Sequence, residues 1–277
     1  MADDKSGAPA EEKLVLKPGT IIQFLDNFSA IEEGKELQFT DLNMSNKRVE
    51  ALAKAADEIR DVQRVDISVN NLTEIAPLKD LTKLIKLNVS KNKIKSIAIF
   101  TQEDTFPNLK WLDVSTNKFT AFPAIKCPKL EYLDISYNKL EKVDDGWTTH
   151  EKLRVIKSID NKFKNLAPFK NMPALEELNM SMNMVVALQG WESLPKLKKL
   201  NLKKNKIDKI EEEGLPELPS LEKINLHGNL IKDLATMFRL FQFPTLVDIN
   251  VLKNPCETNI THFNLLLAEV LCKNTKI

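Results

Sequence analysis

Glycine is scarce in this chain, seven residues in 277, and aromatic residues reach only 6%. So few glycines leave no room for a glycine-rich phosphate loop, and HGN at 227–229 is part of a repeated phrase described below. Cysteine is scarcer still. Cys127, Cys256 and Cys272 are an odd number without tight spacing, which excludes a disulfide framework and reads as reduced thiols in a cytosolic compartment. No apolar run approaches the length of a membrane span. The opening MADDKSGAPAEEKLVLKPG lacks the basic-then-apolar order of a signal peptide. Neither sign of charge dominates: the formal net charge is +1, so no nucleic acid is expected to be drawn by overall charge. His150, His227 and His262 have no acidic or cysteine partner at ligand spacing, and no Ser, His and Asp constellation can be placed. No catalytic, metal or cofactor site is expected, and the chain reads as a non-enzyme.

What is abundant is one phrase. LKWLDVSTNKF (109–119) and LEYLDISYNKL (130–140) share their leucines, an Asp, a Ser and an Asn-Lys in the same order. Related phrases begin at 62, 84, 153, 175, 197, 221 and 246, and a degenerate copy, FTDLNMSNKRV, occupies 39–49. The ninth letter of each full phrase is Asn, at 70, 92, 117, 138, 161, 183, 205, 229 and 254, at intervals of 21 to 25 residues. That is the period of a leucine-rich repeat. Buried apolar residues at positions four and six alternate with polar neighbours, the signature of a short strand with one buried face. The Asn that follows is placed to satisfy backbone groups of the turn, where an orphaned group costs roughly 1–3 kcal/mol.

Between phrases the apolar residues fall every third position, as in Leu72, Ile75, Leu78, Leu81 and Leu84. That spacing suits a 3₁₀-like return limb. The expected fold is an α/β solenoid: a horseshoe with a parallel sheet on its concave face, 3₁₀ or helical convex limbs and helical end caps. Trp147 and Trp191 read as core filler of the limbs, and 231–246 is long enough for about two helical turns. Residues 1–19 read as a flexible tail, 20–61 as an N-terminal cap containing the degenerate repeat, 62–256 as nine repeats, and 257–277 as a C-terminal capping helix. Within the first cap, 48–62 is expected to be helical; within the second, Thr261 is placed as the N-cap and Phe263, Leu266, Leu267 and Val270 as the cover.

Function is then expected on a surface. Positions three, five and seven of each phrase point to the concave side. Position three reads Arg64, Lys86, Trp111, Tyr132, Val155, Glu177, Lys199, Lys223 and Asp248. With strands about 4.8 Å apart, Trp111, Tyr132 and Val155 are neighbours. Ile159 extends this patch, and Tyr137 and Met182 border it. Exposed contiguous aromatics must be covered, by a protein partner or by neighbouring parts of the chain. Position two alternates in sign (Lys110, Glu131, Arg154, Glu176, Lys198, Glu222) and reads as a structural ladder. Lys199, Lys203, Lys204 and Lys223 crowd one edge, either as a solvated face or as the seat of an acidic partner segment.

The most specific stretch is LPSLEKINLHGNLIKDLATMFRLFQFPTLVDINVLKNPC (218–256), followed by ETNITHFNLLLAEVL. It resembles the end of the leucine-rich-repeat-containing protein 23 family, radial-spoke proteins of motile cilia, whose arrays also close with a long penultimate unit, an NPC unit and a cap. The 277 residues hold no counterpart of that family's long charged C-terminal extension. The repeat subclass is similar to that of a regulatory subunit of protein phosphatase 1 and of an axonemal dynein light chain. The resemblance implies a structural docking protein of the ciliary axoneme, in cytoplasm and cytoskeleton, with radial-spoke or other axonemal proteins as partners and no membrane contact. The alternative it leaves is a soluble regulatory subunit of an enzyme such as a phosphatase.

Overall fold

In the computed structural model the described residues are 14–16, 24–30, 37–47, 49–52, 59–144, 150–169, 172–189, 193–211, 213–233, 236 and 239–258. The strands, in chain order, are β1 (Leu14–Leu16), β2 (Leu25–Ala30), β3 (Leu37–Asn43), β4 (Val49–Leu52), β5 (Arg64–Asp66), β6 (Lys86–Asn88), β7 (Trp111–Asp113) and β8 (Ala121–Phe122). Then come β9 (Tyr132–Asp134), β10 (Lys142–Val143), β11 (Val155–Lys157), β12 (Glu177–Asn179), β13 (Lys199–Asn201), β14 (Lys223–Asn225) and β15 (Asp248–Asn250). Eleven of them form one sheet in the order β15-β14-β13-β12-β11-β9-β7-β6-β5-β3-β2. Every pair from β3 to β15 is parallel, and only β2 runs antiparallel to β3.

Each repeat strand is three residues long because the phrase supplies one buried residue between two outward ones. Leu112, Leu133 and Ile156 are at most 0% exposed, and position six buries Val114 and Ile135 behind them. The limbs are built as their spacing predicts. Ala76–Asp80, Ala98–Thr101, Ala167–Phe169 and Arg239–Gln242 are 3₁₀ turns, each burying an apolar residue against the sheet. Two limbs are extended instead: β8 and β10 pair in parallel on the convex side. Phe122 precedes Pro123, and a residue before proline is steered to extended backbone. In the 231–246 limb the described Thr236 is helical and Arg239–Gln242 is a 3₁₀ turn.

The repeated Asn holds the stack. Asn138 Nδ2 donates to the carbonyls of Val114 at 3.3 Å, Ile135 at 3.1 Å and Ser136 at 3.0 Å. Its Oδ1 accepts the Phe119 N–H at 3.1 Å. One buried amide therefore ties its own turn to the repeat before it, and the same pattern recurs at Asn92, Asn117, Asn183, Asn205, Asn229 and Asn254. The residue ahead of each Asn takes a left-handed conformation, including Val69 (φ 56°), Thr116 (φ 53°), Tyr137 (φ 54°) and Met182 (φ 60°). Side-chained residues adopt that conformation at a cost of roughly 1 kcal/mol or more, so the ladder bonds must outweigh it.

The N-terminal end departs from expectation. Where 48–62 predicts a capping helix, Val49–Leu52 is a strand paired in parallel with Leu14–Leu16, which in turn do not belong to a free tail. Asn70 ties this segment to the first full repeat, its Oδ1 accepting both the Lys47 and the Val49 N–H at 3.0 Å. At the other end a helical turn, Pro255–Thr258, is described. Thr261, Phe263, Leu266, Leu267, Val270, Trp147 and Trp191 lie outside the described residues.

Asn138→Ala removes the amide from three carbonyls and one N–H and leaves them without water. We expect a loss of about 1–3 kcal/mol in urea unfolding. A denaturation midpoint equal to that of the unaltered chain contradicts the role given to the ladder.

Candidate functional site

Position three forms an unbroken row across the sheet, because Lys86, Trp111, Tyr132, Val155, Glu177, Lys199, Lys223 and Asp248 are paired in register strand by strand. The structure thus brings Trp111, Tyr132 and Val155 together as the sequence predicts, all three half-buried. The rings are more organised than an exposed patch. Trp111 and Tyr132 stack with centroids 5.0 Å apart and an interplanar angle of 6°. Lys86 Nζ lies 4.5 Å from the Trp111 centroid and Lys157 Nζ 5.3 Å from that of Tyr132. The order Lys86, Trp111, Tyr132, Lys157 is a cation–ring–ring–cation sandwich over four strands, worth about 0.5–1.5 kcal/mol for the ring pair and 0.5–1 kcal/mol per exposed cation. The ring faces are occupied, and the ring edges are what a partner meets.

Two carboxylates sit beside the stack at position five. Burial raises the Asp113 carboxyl above its ordinary range, with the neighbouring Asp134 adding to it. Burial likewise raises the Tyr132 phenol, while the hydrogen bond to that hydroxyl raises Lys157. Position five has a second duty that the sequence reading missed. Asp66, Asn88, Asp113, Asp134, Asn179, Asn201, Asn225 and Asn250 each accept the N–H of the residue two further on, an Asx turn closing the strand. Asp or Asn at that place in eight phrases was the available signal.

One repeat breaks the rule. In LRVIKSIDNKF position five is Lys157, and positions six and seven are Ser158 and Ile159 where neighbours place apolar then Ser. Ser158 is 0% exposed in the core, and Ile159 is turned outward and half-buried. Lacking an Asx turn, Ile159 N–H bonds instead to Ser136 Oγ at 3.1 Å. A repeat that puts its hydroxyl inside and its isoleucine outside gives up core burial for an apolar outer surface. Tyr137 and Met182 stand beside it on the turn rim, 48% and 39% exposed, and the Tyr137 N–H donates to the Ile159 carbonyl at 2.6 Å.

The lysine-rich edge is divided. Lys199 pairs with Glu177 at 3.8 Å and Lys223 with Asp248 at 3.1 Å, so these two are neutralised within the sheet. Their four strands line a shallow polar groove of about 290 Å³. Lys203 and Lys204 lie further out, on the turn. Position two is the ladder expected: Lys110 meets Glu131 at 3.5 Å, and Glu176 is shared by Arg154 at 2.8 Å and Lys198 at 3.4 Å.

An in-register parallel sheet of three-residue strands, 3₁₀ return limbs and an Asn at every turn define a leucine-rich repeat protein. Family models described as leucine-rich repeat match residues 173–273 and 126–143. The resemblance to the leucine-rich-repeat-containing protein 23 family is borne out by its relatives. The human protein of that name is 31% identical over 194 residues, covering 69% of this chain and 54% of its own. The bovine one is 30% identical over 194 residues, covering 69% and 55%. The chain therefore spans about half the length of these relatives. Among solved structures, a chain of the octameric complex of Latrophilin 3, Unc5D and FLRT2 aligns with a TM-score of 0.61 over 82% of this chain and 77% of its own. At 18% identity that likeness shows the fold alone.

Restoring the repeat pattern with Ser158→Val together with Ile159→Ser should raise stability by about 1 kcal/mol, through recovered apolar burial. A thermal melt checks it. A less stable double variant contradicts the reading that core burial has been given up here.

Proposed function

We propose that this chain is a non-enzymatic docking component of the motile-cilium axoneme, a radial-spoke protein, that binds other axonemal proteins through the patch over β7, β9 and β11. The observation that carries the docking surface is the coincidence of irregularities. The aromatic pair, the outward isoleucine, the missing Asx turn and the exposed Tyr137 and Met182 all fall on repeats that touch one another. On the later strands the position-three charges are paired instead, Lys199 with Glu177 and Lys223 with Asp248. Local departures from an otherwise consistent pattern are where function is expected to be placed. The ciliary assignment rests on the resemblance to leucine-rich-repeat-containing protein 23.

The patch suits a protein partner. Short strands fixed by the Asn ladder present Trp111, Tyr132, Val155 and Ile159 with little ordering needed on binding, and centrally buried aromatics carry large shares of interface energy. Because the two rings stack on each other, Trp111→Ala with Tyr132→Ala is expected to lower stability by about 1–2 kcal/mol, more than two isolated surface residues.

The test is incorporation. In a ciliated cell, a tagged chain is expected to remain with detergent-stripped axonemes and to leave in high salt. The double variant should be folded by circular dichroism yet shifted to the soluble fraction, because losing a central aromatic costs about 2 kcal/mol or more of binding. Normal axonemal occupancy of the variant moves the docking surface elsewhere. An unaltered chain found only in soluble extract favours an enzyme-regulating role.

A further inference from the structure

The stacked turns of the last repeats gather positive charge that the sheet does not cancel. Lys203 and Lys204 stand on the turn after β13, His227 and Gly228 on the turn after β14, and Leu252 and Lys253 on the turn after β15. The turns are bonded to one another. Lys204 N–H donates to the His227 carbonyl at 2.7 Å, and Gly228 N–H to the Leu252 carbonyl at 2.9 Å. Asx turns from Asn201, Asn225 and Asn250 hold each one in place. Lys204 and Lys253 keep the left-handed backbone of the rim, at φ 55° and 59°, and are exposed.

Lys199 and Lys223 each have a carboxylate across the strand, whereas among the described residues Lys203, Lys204 and Lys253 have no ion pair. The groups facing His227 are Lys203, Lys253, Lys204 and one acid, Glu257. That carboxylate is already engaged, accepting the Lys253 N–H at 2.5 Å. Burial first, and then the three ammonium groups, hold the His227 imidazole below its ordinary range, so it is neutral at pH 7. Leu252, 43% exposed, adds an apolar contact beside the charges.

We infer that the rim formed by Lys203, Lys204, His227 and Lys253 is a docking site for an acidic protein segment, separate from the aromatic patch. The inference deepens the docking reading and rests on it for the chain's role, but not for this site's existence. Charge complementarity selects the occupant: three ammonium groups around His227, without ion pairs among the described residues, ask for a run of carboxylates, and the exposed Leu252 suits a peptide. A nucleic acid fits less well, because the rim offers no tryptophan, tyrosine or phenylalanine for bases to stack on. The site is also tuned by acidity. An anion pulls His227 toward its charged form, so binding strengthens as pH falls toward the imidazole range while glutamate carboxyls stay ionised.

The probe is a fluorescein-labelled decaglutamate peptide, titrated against the full chain by fluorescence anisotropy. Binding is expected to weaken several-fold between about 50 and 300 mM salt, as screening requires. Lys203→Gln with Lys204→Gln and Lys253→Gln should weaken it about tenfold or more, whereas Lys199→Gln with Lys223→Gln should change it less than about threefold. Lowering the pH from about 7.5 to 5.5 should tighten binding about threefold, and His227→Asn should remove that dependence. Circular dichroism melts confirm that each variant is folded. Equal losses from the two lysine sets, or a single-stranded oligonucleotide binding more tightly than decaglutamate, overturn the inference. Trp111→Ala with Tyr132→Ala should leave decaglutamate binding intact, so failure of the patch and failure of the rim are read separately.

Discussion

The whole structure depends on a bidentate-like use of one buried amide per turn. A strand of three residues cannot hold its own register, and a left-handed residue sits on the turn ahead of each repeated Asn. Asn at the ninth position meets both needs at once, donating to carbonyls of two successive repeats and accepting an N–H of the earlier one. Because the bonds cross from repeat to repeat, each unit is specified by its neighbour, as a quasi-one-dimensional stack requires. At Asn70 the same amide anchors the degenerate first repeat, accepting the Lys47 and Val49 N–H.

A backbone fixed in this way leaves the outer positions free to vary, and the variation is not random. Position two and most of position three carry cross-strand ion pairs between exposed side chains, each a minor contribution. The aromatic stack and the reversed Ser158 and Ile159 are confined to the middle of the array. On the late turns Lys203, Lys204 and Lys253 gather around His227. One face thus carries two chemically different surfaces, one apolar and edge-on, the other cationic, on a common rigid frame.

Much of this was legible in the letters. Nine Asn at near-constant spacing gave the period, and the period gave the register that sets Trp111, Tyr132 and Val155 side by side. Burial of positions four and six was legible for the same reason. Other features were not, because they depend on distances between repeats. Letter patterns do not reveal that Trp111 and Tyr132 lie face to face at 5.0 Å, or that Lys199 and Lys223 find carboxylates while Lys203 and Lys204 do not. His227 and Lys253 join the basic rim only once the turns are stacked. The strand at Val49–Leu52 was hidden by an Ala-rich composition over 48–62 that favours helix, a propensity overridden by pairing with Leu14–Leu16. The inversion at 158–159 was present in the sequence and became meaningful only with burial.

The central claim is that the middle of the concave sheet is the docking surface. Benzoylphenylalanine placed at Val155, between the aromatic stack and Ile159, reports directly on what covers it. Irradiation in ciliated cells is expected to join the chain to one dominant partner protein, with Glu222, on the flank of the sheet away from the patch, giving no such product. Equal yields at the two positions, or crosslinks at Val155 only within the chain itself, contradict the account.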